Sequence, residues 1–135
     1  MAGNDQTQKG RIRLLLVDDE EGYVNVLSKR MTKRQILVTA ALSGSQAVQI
    51  LRKQDFDVAI LDLKMEDMDG IEVLKIFKKM APDLPVIMLT GHGSEKAARE
   101  GLAHGAYDYL MKPCELEELL EKINEACRGG GGPVE

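Results

Sequence analysis

Short apolar runs alternate five times with amphipathic segments, and this alternation constrains the fold more than any other feature of the chain. The runs are strand-like and lie at about residues 12–17, 36–40, 57–63, 86–90 and 107–111. The first is an unbroken apolar run of the kind that is buried on both faces of a sheet. Strands that alternate with helices favour a parallel sheet covered by helices on both sides. We therefore predict an α/β fold with a doubly wound, parallel five-stranded sheet, written (βα)5.

Capping residues mark the ends of several predicted helices. Ser43 and Asp69 are each followed three residues later by Gln or Glu, the capping-box pattern that opens a helix. Gly105 follows the fourth helix in the position of a C-terminal glycine. The glycine run that begins at Gly129 should end the last helix, which we predict over 115–127.

Length, charge and composition restrict the class of protein. The 135 residues suit one domain, which we place at 11–128, between a flexible tail at 1–10 and a glycine-rich segment at 129–135 that is a linker start or a cloning remnant. The net charge of −4 argues against direct nucleic-acid binding, because phosphate contacts need a basic surface. No apolar window is long enough for a membrane span, and the polar N-terminus lacks a signal peptide's apolar core.

Two cysteines lie at opposite ends of the last predicted helix. Cys114 and Cys127 are too far apart along that helix to form a disulfide, and neither has metal-ligand partners at useful spacing. A reducing, cytoplasmic setting is the simplest interpretation.

Polar residues end several of the strand-like runs. LLLVDD ends in Asp18 and Asp19, VAILDL carries Asp62 near its end, VIMLT ends in Thr90, and YDYLMKP reaches Lys112. The ends of strands in successive βα units fall on one edge of a parallel sheet, where ligands bind, so these side chains should converge. Carboxylates alone would repel one another. A divalent cation would hold them together, and the lysine would offset part of the remaining charge.

Asp62 is the most informative of these residues, because it interrupts a buried run in which an unpaired charge is costly. The pair Asp18 and Asp19, taken alone, is as often a solvated loop or a helix cap as a functional site. Thr90 and Lys112, taken singly, would more often be structural. Their joint placement at strand ends is what favours a functional interpretation.

Four separated segments carry a resemblance to a known family. They are LLLVDDE at 14–20, VAILDLKM with MDG within 58–70, VIMLTGHGS at 86–94, and GAYDYLMKP at 105–113. In these motifs, and in their order, the chain resembles the receiver domain of two-component response regulators. The resemblance implies a flavodoxin-like strand order of 2-1-3-4-5. It also implies a signalling switch that a histidine kinase activates by phosphorylation, and no catalysis beyond the domain's own phosphorylation and dephosphorylation.

The resemblance implies a role for each site residue. Asp62 would be the phosphoacceptor, and a carboxylate is a competent nucleophile toward phosphorus. Asp19 would ligate Mg²⁺ directly, Asp18 would do so directly or through water, and the backbone carbonyl of Lys64 would be a further ligand. Mn²⁺ is a candidate substitute for Mg²⁺.

The remaining roles concern the phosphoryl group and the switch. Thr90 would hydrogen-bond the phosphoryl group, Lys112 would pair with it, and Tyr109 would change rotamer on activation. Thr90 and Tyr109 should lie on neighbouring strands joined by the fourth helix. The apolar face of that helix is thin, since it consists of Ala97, Ala98, Leu102 and Ala103 with Gly101 between them.

The chain departs from the family pattern at two positions. Glu66 stands where many members have proline, so we expect a more mobile loop after Asp62. Cys114 stands where many members have phenylalanine. Neither position carries one of the phosphorylation roles.

Other functions remain candidates at this point. An aspartate-nucleophile phosphatase would usually need a second aspartate at position 64, which is a lysine. A nucleotide or flavin binder would need a glycine- or hydroxyl-rich loop after the first strand, where this chain has DDEEGY. An inactive interaction module would not need the intact set of Asp19, Asp62, Thr90 and Lys112.

Partners and phosphate lifetime follow from the same interpretation. We expect a sensor histidine kinase or phosphotransfer protein upstream and an output domain or protein downstream. A phosphorylation-dependent dimer is left open. The last helix is rich in glutamate, so we expect it to bind a more basic partner or to dimerise without the ion pairs of one large receiver subfamily.

Lys64 and His92 border the expected path of water to the phosphorus. Lys64 either shields the phosphoryl group and slows its hydrolysis, or points into solvent without a role.

Overall fold

The computed structural model describes residues 10–91 and 95–131 of the chain. Within these ranges the strands are β1 Ile12–Val17, β2 Ile36–Ala41, β3 Val58–Asp62, β4 Val86–Thr90 and β5 Asp108–Met111. The helices are α1 Glu21–Thr32, α2 Gly44–Lys53, α3 Gly70–Met80, α4 Glu95–Ala103 and α5 Leu116–Gly131. Strands and helices therefore alternate as predicted.

All paired strands are parallel, and they lie in the order β2-β1-β3-β4-β5. The predicted fold class and strand order are confirmed. The strand order reverses between β1 and β3, the place where sheets of this kind bind ligands beyond the carboxyl ends of their strands.

Successive residues of the central strands bury their side chains on opposite faces of the sheet. Leu15 and Val17 of β1 belong to one apolar cluster, which α2 and α3 cover. Leu14 and Leu16 belong to a second cluster, which α1 and α5 cover. A side-chain period of two on a strand with a helix layer on each face explains why these runs are uninterruptedly apolar. Two cores hold the central strands rigid, and their ends are therefore fixed points for a site.

Both predicted helix caps form, but each differs in detail from the capping box, and at α3 the Glu72 carboxylate pairs with Lys75. Ser43 Oγ accepts a hydrogen bond of 3.1 Å from the backbone N–H of Gln46, and Asp69 Oδ1 accepts one of 3.0 Å from Ile71. The Gln46 side chain reaches back to the N–H of Leu42, at 2.7 Å, rather than to that of Ser43. The start of α2 is therefore held on both sides of Ser43.

Gly105 ends α4 as predicted, with a positive φ of 105°. The N–H of Ala106 donates to the carbonyl of Gly101, and the N–H of Gly105 donates to that of Leu102. This is the paired closure of a Schellman motif, which needs a left-handed residue that glycine adopts at little cost.

Some predicted boundaries and faces were wrong. Helix α5 continues to Gly131 instead of ending near Cys127, because glycine lowers helix propensity by about 1 kcal/mol per residue but does not block helical hydrogen bonding. Leu102 and Ala103 of α4 are exposed, whereas Ala98 and Gly101 are buried, so the inward face of this helix is even thinner than expected. The predicted start of α4 at Ser94 lies outside the described residues.

Cys114 and Cys127 are both free thiols, as their spacing predicted. In the part of the chain that the structure describes, no helix is both long enough and apolar enough to cross a membrane.

Gly70 is the position at which the packing around the site is most easily tested. A Cβ on Gly70 would lie 2.5 Å from Leu63 Cα, and Leu63 follows Asp62 directly. We expect Gly70→Ala to lower the free energy of unfolding by about 2 kcal/mol or more, because backbone must move. The matched control is Gly22→Ala in α1, where no atom lies within 4 Å of the new methyl group and stability should stay equal or rise by up to about 1 kcal/mol. Urea unfolding measures both, and a Gly70→Ala protein as stable as the wild type would contradict the packing argument.

Candidate functional site

Three carboxylates meet at the carboxyl edge of the sheet. Asp18 and Asp19 follow β1, and Asp62 ends β3 beside it. Each of the three offers one oxygen that lies within 4.8 Å of the others. The predicted convergence of these residues is therefore present in the fold, and it follows from the adjacency of β1 and β3.

Lys112 lies between two of these carboxylates. Its Nζ is 2.9 Å from Asp18 Oδ2 and 3.7 Å from Asp62 Oδ2. The backbone also ties Lys112 to the site, since its N–H donates to the carbonyl of Thr90 at 2.6 Å. One cation offsets part of the repulsion among three anions, and the rest needs a second source of positive charge.

Asp18 is held by three hydrogen bonds. Its backbone N–H donates to the carbonyl of Ala41, its Oδ1 accepts from the N–H of Glu20 at 3.0 Å, and its Oδ2 accepts from Lys112. Only 1% of its surface is exposed, so these bonds replace the water that the carboxylate loses on folding. Asp19 is exposed instead, on the solvent side of the cluster.

Thr90 ends β4, next to β3, and its hydroxyl is buried. Among the described residues, Thr90 Oγ1 has no hydrogen-bond partner. A buried hydroxyl without a hydrogen-bond partner costs free energy. It is therefore a donor already in place for an oxygen that arrives at this edge of the sheet.

The electrostatics of the site act most strongly on Asp62. Burial raises the pKa of its carboxyl to about 6, and the charge of Asp18 adds to the rise, while Lys112 opposes it. For Lys112, burial would lower the pKa, but the hydrogen bond that its ammonium donates to Asp18 and the charge of Asp62 raise it above the usual value. Asp62 is thus a carboxylate held at a site that disfavours its negative charge, and a bound cation would relieve this cost.

Tyr23 of α1 is a site neighbour that the sequence interpretation missed. The Lys112 ammonium lies 4.6 Å from the centre of the Tyr23 ring, within cation–π distance. Burial raises the pKa of the Tyr23 hydroxyl to about 12. Tyr23 stands one turn before the buried Leu27 on the same helix face, which was the available signal that its ring points inward.

The segment after Asp62, residues 64–69, is called the acceptor loop below. The N–H of Lys64 donates to Asp62 Oδ1 at 3.3 Å, and the N–H of Glu66 donates to Asp19 Oδ2 at 3.0 Å. A proline at position 66 could not make the second bond. Glutamate in place of proline leaves the backbone less restricted, but it also provides an N–H that bonds to Asp19. These contacts therefore do not support the expectation of a more mobile loop.

The other predicted residues stand as follows. Tyr109 lies on β5 beside β4, is half-buried and packs against the cluster under α2 and α3. The Lys64 side chain is exposed. His92 lies outside the described residues, so its expected place at the border of the site stays a prediction. His104 is exposed just beyond the end of α4.

The donor set fits magnesium. It consists only of carboxylate oxygens from Asp18, Asp19 and Asp62, and Mg²⁺ prefers a few carboxylates together with water and phosphate oxygens. The three carboxylates and Lys112 leave two formal negative charges, which a divalent cation balances. The chemistry of these side chains therefore agrees with the ion that the resemblance implied.

A sequence model described as the response regulator receiver domain matches residues 14–124. This chain belongs to that family. Its members are phosphorylation-activated signalling domains of two-component systems.

Relatives and solved structures agree with this assignment. The chain is 36% identical over 113 residues to the transcriptional regulatory protein GlrR of Escherichia coli, covering 84% of this chain and 26% of GlrR. It is 40% identical over 119 residues to the two-component response regulator ORR24 of rice, covering 87% of this chain and 19% of ORR24. A response regulator receiver domain protein from Methanospirillum hungatei has a TM-score of 0.85 at 30% identity, over 89% of this chain and 96% of that one. The chain thus spans about a quarter or less of these two relatives and nearly all of the solved receiver.

The raised pKa of Asp62 predicts a pH-dependent cost in stability. The pKa of this carboxyl is about 6 in the folded protein and about 4 when unfolded, so the folded state binds more protons between these values. The contribution of Asp62 to the free energy of unfolding therefore falls as the pH rises from about 4 to about 6. In magnesium-free buffer, Asp62→Asn should be more stable than the wild type at pH 7 by about 2 kcal/mol, and this gain should shrink toward pH 4.

Urea unfolding in a chelator at several pH values measures this difference. Asp83→Asn, an exposed carboxylate before β4 at the opposite edge of the sheet, is the control and should change little at any pH. A gain for Asp62→Asn of the same size at pH 4 and pH 7 would contradict the argument that the cost comes from the buried negative charge of Asp62.

Proposed function

We propose that Asp62 is the phosphoacceptor of this receiver domain. The observation that supports this most directly is its position: a buried carboxylate at the end of β3, beside two further carboxylates, a lysine and a buried hydroxyl that has no partner in the described part of the chain. An oxygen of Asp62 attacks the phosphorus of a phosphohistidine or a small acyl phosphate. A bond from that oxygen to phosphorus forms, and the bond from phosphorus to the donor breaks.

Each neighbour has a separate task in this transfer. Lys112 pairs with charge on the phosphoryl oxygens, and Thr90 Oγ1 donates a hydrogen bond to one of them. Asp18, Asp19 and the carbonyl of Lys64 would hold Mg²⁺, or Mn²⁺ in its place. When bound, the ion supplies charge neutralisation and orientation of the phosphoryl oxygens.

A small phosphodonor tests the assignment directly. Acetyl phosphate with Mg²⁺ should add one phosphoryl group, about 80 Da by the elementary mass of HPO₃, to the wild type, and should add none with a chelator present. Asp62→Asn should remain unmodified, because its amide is not a nucleophile toward phosphorus, while Asp83→Asn should react like the wild type. Intact-mass spectrometry reads all four samples. Modification of Asp62→Asn at the wild-type rate would refute the role of Asp62.

We propose that the segment from Thr90 to Tyr109 carries the conformational response. Three features support this: the hydroxyl of Thr90 has no partner among the described residues, the ring of Tyr109 is only half-buried, and the buried residues of α4 are Ala98 and Gly101. A Cβ at Gly101 would collide with Met88 Sδ, so α4 sits close to the sheet on a very small contact. Few buried contacts imply low local stability, which suits an element that moves.

Hydrogen exchange measures this response. Peptides that cover 95–109 should exchange at a different rate after acetyl phosphate treatment, and they should change more than peptides that cover α1 or α2. The same treatment of Asp62→Asn is the control and should leave the pattern unchanged. Equal protection of 95–109 in both states of the wild type would contradict the proposed location of the switch.

The partners follow from the family and from the charge on α5. We propose a sensor histidine kinase or phosphotransfer protein as the donor and an output domain or protein as the target, in a cytoplasmic setting. Lys122, the cation within the glutamate-rich part of α5, is already bound to Asp108 at 2.7 Å and to Glu125 at 3.4 Å. In a two-fold symmetric dimer this acidic face of α5 would meet the same acidic face of a second copy, and the two would repel each other. The face therefore suits a basic partner. Cross-linking that showed ion-paired α5 helices in a dimer would contradict this.

The lifetime of the phosphorylated state depends on what reaches the phosphorus. The Lys64 side chain is exposed and follows Asp62 by two residues, so it is free to swing across the phosphoryl group. We propose that Lys64, with His92, limits access of water. Faster loss of phosphate from the phosphorylated Lys64→Asn protein would support this role, and an unchanged rate of loss would contradict it.

A further inference from the structure

Glu66 and Asp67 connect the acceptor loop to two different parts of the protein. The N–H of Glu66 donates to Asp19 Oδ2 at 3.0 Å, and Asp19 is one of the three clustered carboxylates. The next residue, Asp67, points its carboxylate at the N-terminus of α2. The acceptor loop therefore lies between the carboxylate cluster and a helix that carries none of the phosphorylation residues.

Asp67 makes three hydrogen bonds to the start of α2. Its Oδ1 accepts from the N–H of Gly44 at 2.9 Å, and its Oδ2 accepts from the N–H and the hydroxyl of Ser45 at 3.1 and 3.0 Å. These backbone bonds, with that of Gly44 the larger, hold the pKa of the Asp67 carboxyl below its usual range. A carboxylate that satisfies two free N–H groups at a helix N-terminus is well placed, because the helix dipole also favours negative charge there.

Packing supports the same attachment. A Cβ at Gly44 would lie 2.8 Å from Val73 Cγ2 and 3.0 Å from Met68 Sδ, so the start of α2 presses against the acceptor loop and α3. Glycine at position 44 is what allows this approach. The attachment is therefore a packed contact as well as a set of hydrogen bonds.

We propose that Asp67 is a positioning residue for the magnesium site, which fixes the acceptor loop to α2 so that the Glu66 amide orients Asp19. This inference rests on the proposed function of the carboxylate cluster. A carboxylate has two oxygens with several lone pairs, so Asp19 can accept from Glu66 and still bind a cation. Residues that orient metal ligands through hydrogen bonds commonly change metal affinity by about tenfold or more when they are replaced. Asp67 acts one residue further away, so a smaller effect is expected.

Three variants separate positioning from charge and from helix stability. Asp67→Ala removes the attachment and the charge. Asp67→Asn removes the charge but keeps an oxygen that can accept from Gly44. Ser43→Ala removes a different cap of the same helix, the 3.1 Å bond from the N–H of Gln46, without touching the acceptor loop.

The main measurement is a titration of each ¹⁵N-labelled protein with MgCl₂, followed by amide chemical shifts. For Asp67→Ala we expect about a three- to tenfold weaker Mg²⁺ affinity and faster hydrogen exchange of the Glu66 amide. Asp67→Asn and Ser43→Ala should stay within about twofold of the wild-type affinity, although Ser43→Ala should lower the melting temperature. The phosphorylation rate of Asp67→Ala with acetyl phosphate should be reduced at low Mg²⁺ and return close to the wild-type rate at saturating Mg²⁺.

The outcomes that overturn the proposal are distinct. Wild-type affinity in Asp67→Ala would show that the attachment has no effect on the metal. Equal weakening in Asp67→Asn would assign the effect to charge, and equal weakening in Ser43→Ala would assign it to the stability of α2. If the wild type itself neither binds Mg²⁺ nor accepts phosphate, the proposed function fails, and this result is recognisable without any variant.

Discussion

The repulsion between the buried carboxylates of Asp18 and Asp62 is the interaction on which the rest of this site depends. Both lie at the ends of adjacent central strands, and neither can move away, because the strands behind them are packed on both faces. Lys112 offsets part of the repulsion from the end of β5, two strands away from β3. Holding like charges together lowers the stability of the fold, and a bound cation would restore part of that stability.

The rigidity of the strands and the freedom of the loops have the same origin. Strands β3 and β4 bury every side chain, so core packing fixes the positions of their carboxyl ends. The acceptor loop that follows β3 is short, and individual hydrogen bonds such as those of Glu66 and Asp67 hold it. The core therefore holds the strand-end side chains of the proposed site, whereas the acceptor loop depends on contacts that single substitutions can remove.

Much of this structure could be predicted from the sequence because its signals are local. The strands are short apolar runs, Ser43 and Asp69 are caps, and Gly105 is a C-terminal glycine; each pattern is set by neighbours within four residues. The site residues could be predicted for a related reason. Once the strands are parallel, their ends must share an edge, and polar residues at strand ends are visible in the sequence.

What the sequence could not provide depends on contacts between distant segments. The ring of Tyr23 under Lys112 joins residues 89 positions apart, and the attachment of Asp67 to α2 joins a loop to a helix that precedes it by 22 residues or more. No periodicity or cap rule encodes such pairs. The end of α5 was missed for another reason: the glycine run predicts only a propensity, and a helix whose buried face is already packed continues past residues that would not start one.

The arrangement of charge also indicates the direction in which a phosphoryl group would act. Phosphorylation of Asp62 would replace one negative charge by a group with about two, at a place where Lys112 is now bound more closely to Asp18, at 2.9 Å, than to Asp62, at 3.7 Å. The added charge would draw Lys112 toward position 62. This movement would change the distance between the Lys112 ammonium and the Tyr23 ring, which is now 4.6 Å. It would also supply the acceptor that Thr90 Oγ1 lacks among the described residues. Both shifts pull on the ends of β4 and β5, and the element between those strands is α4, which has little buried surface to resist. In the function that we propose, the same imbalance of charge therefore acts both on Asp62 and on the part of the fold that responds.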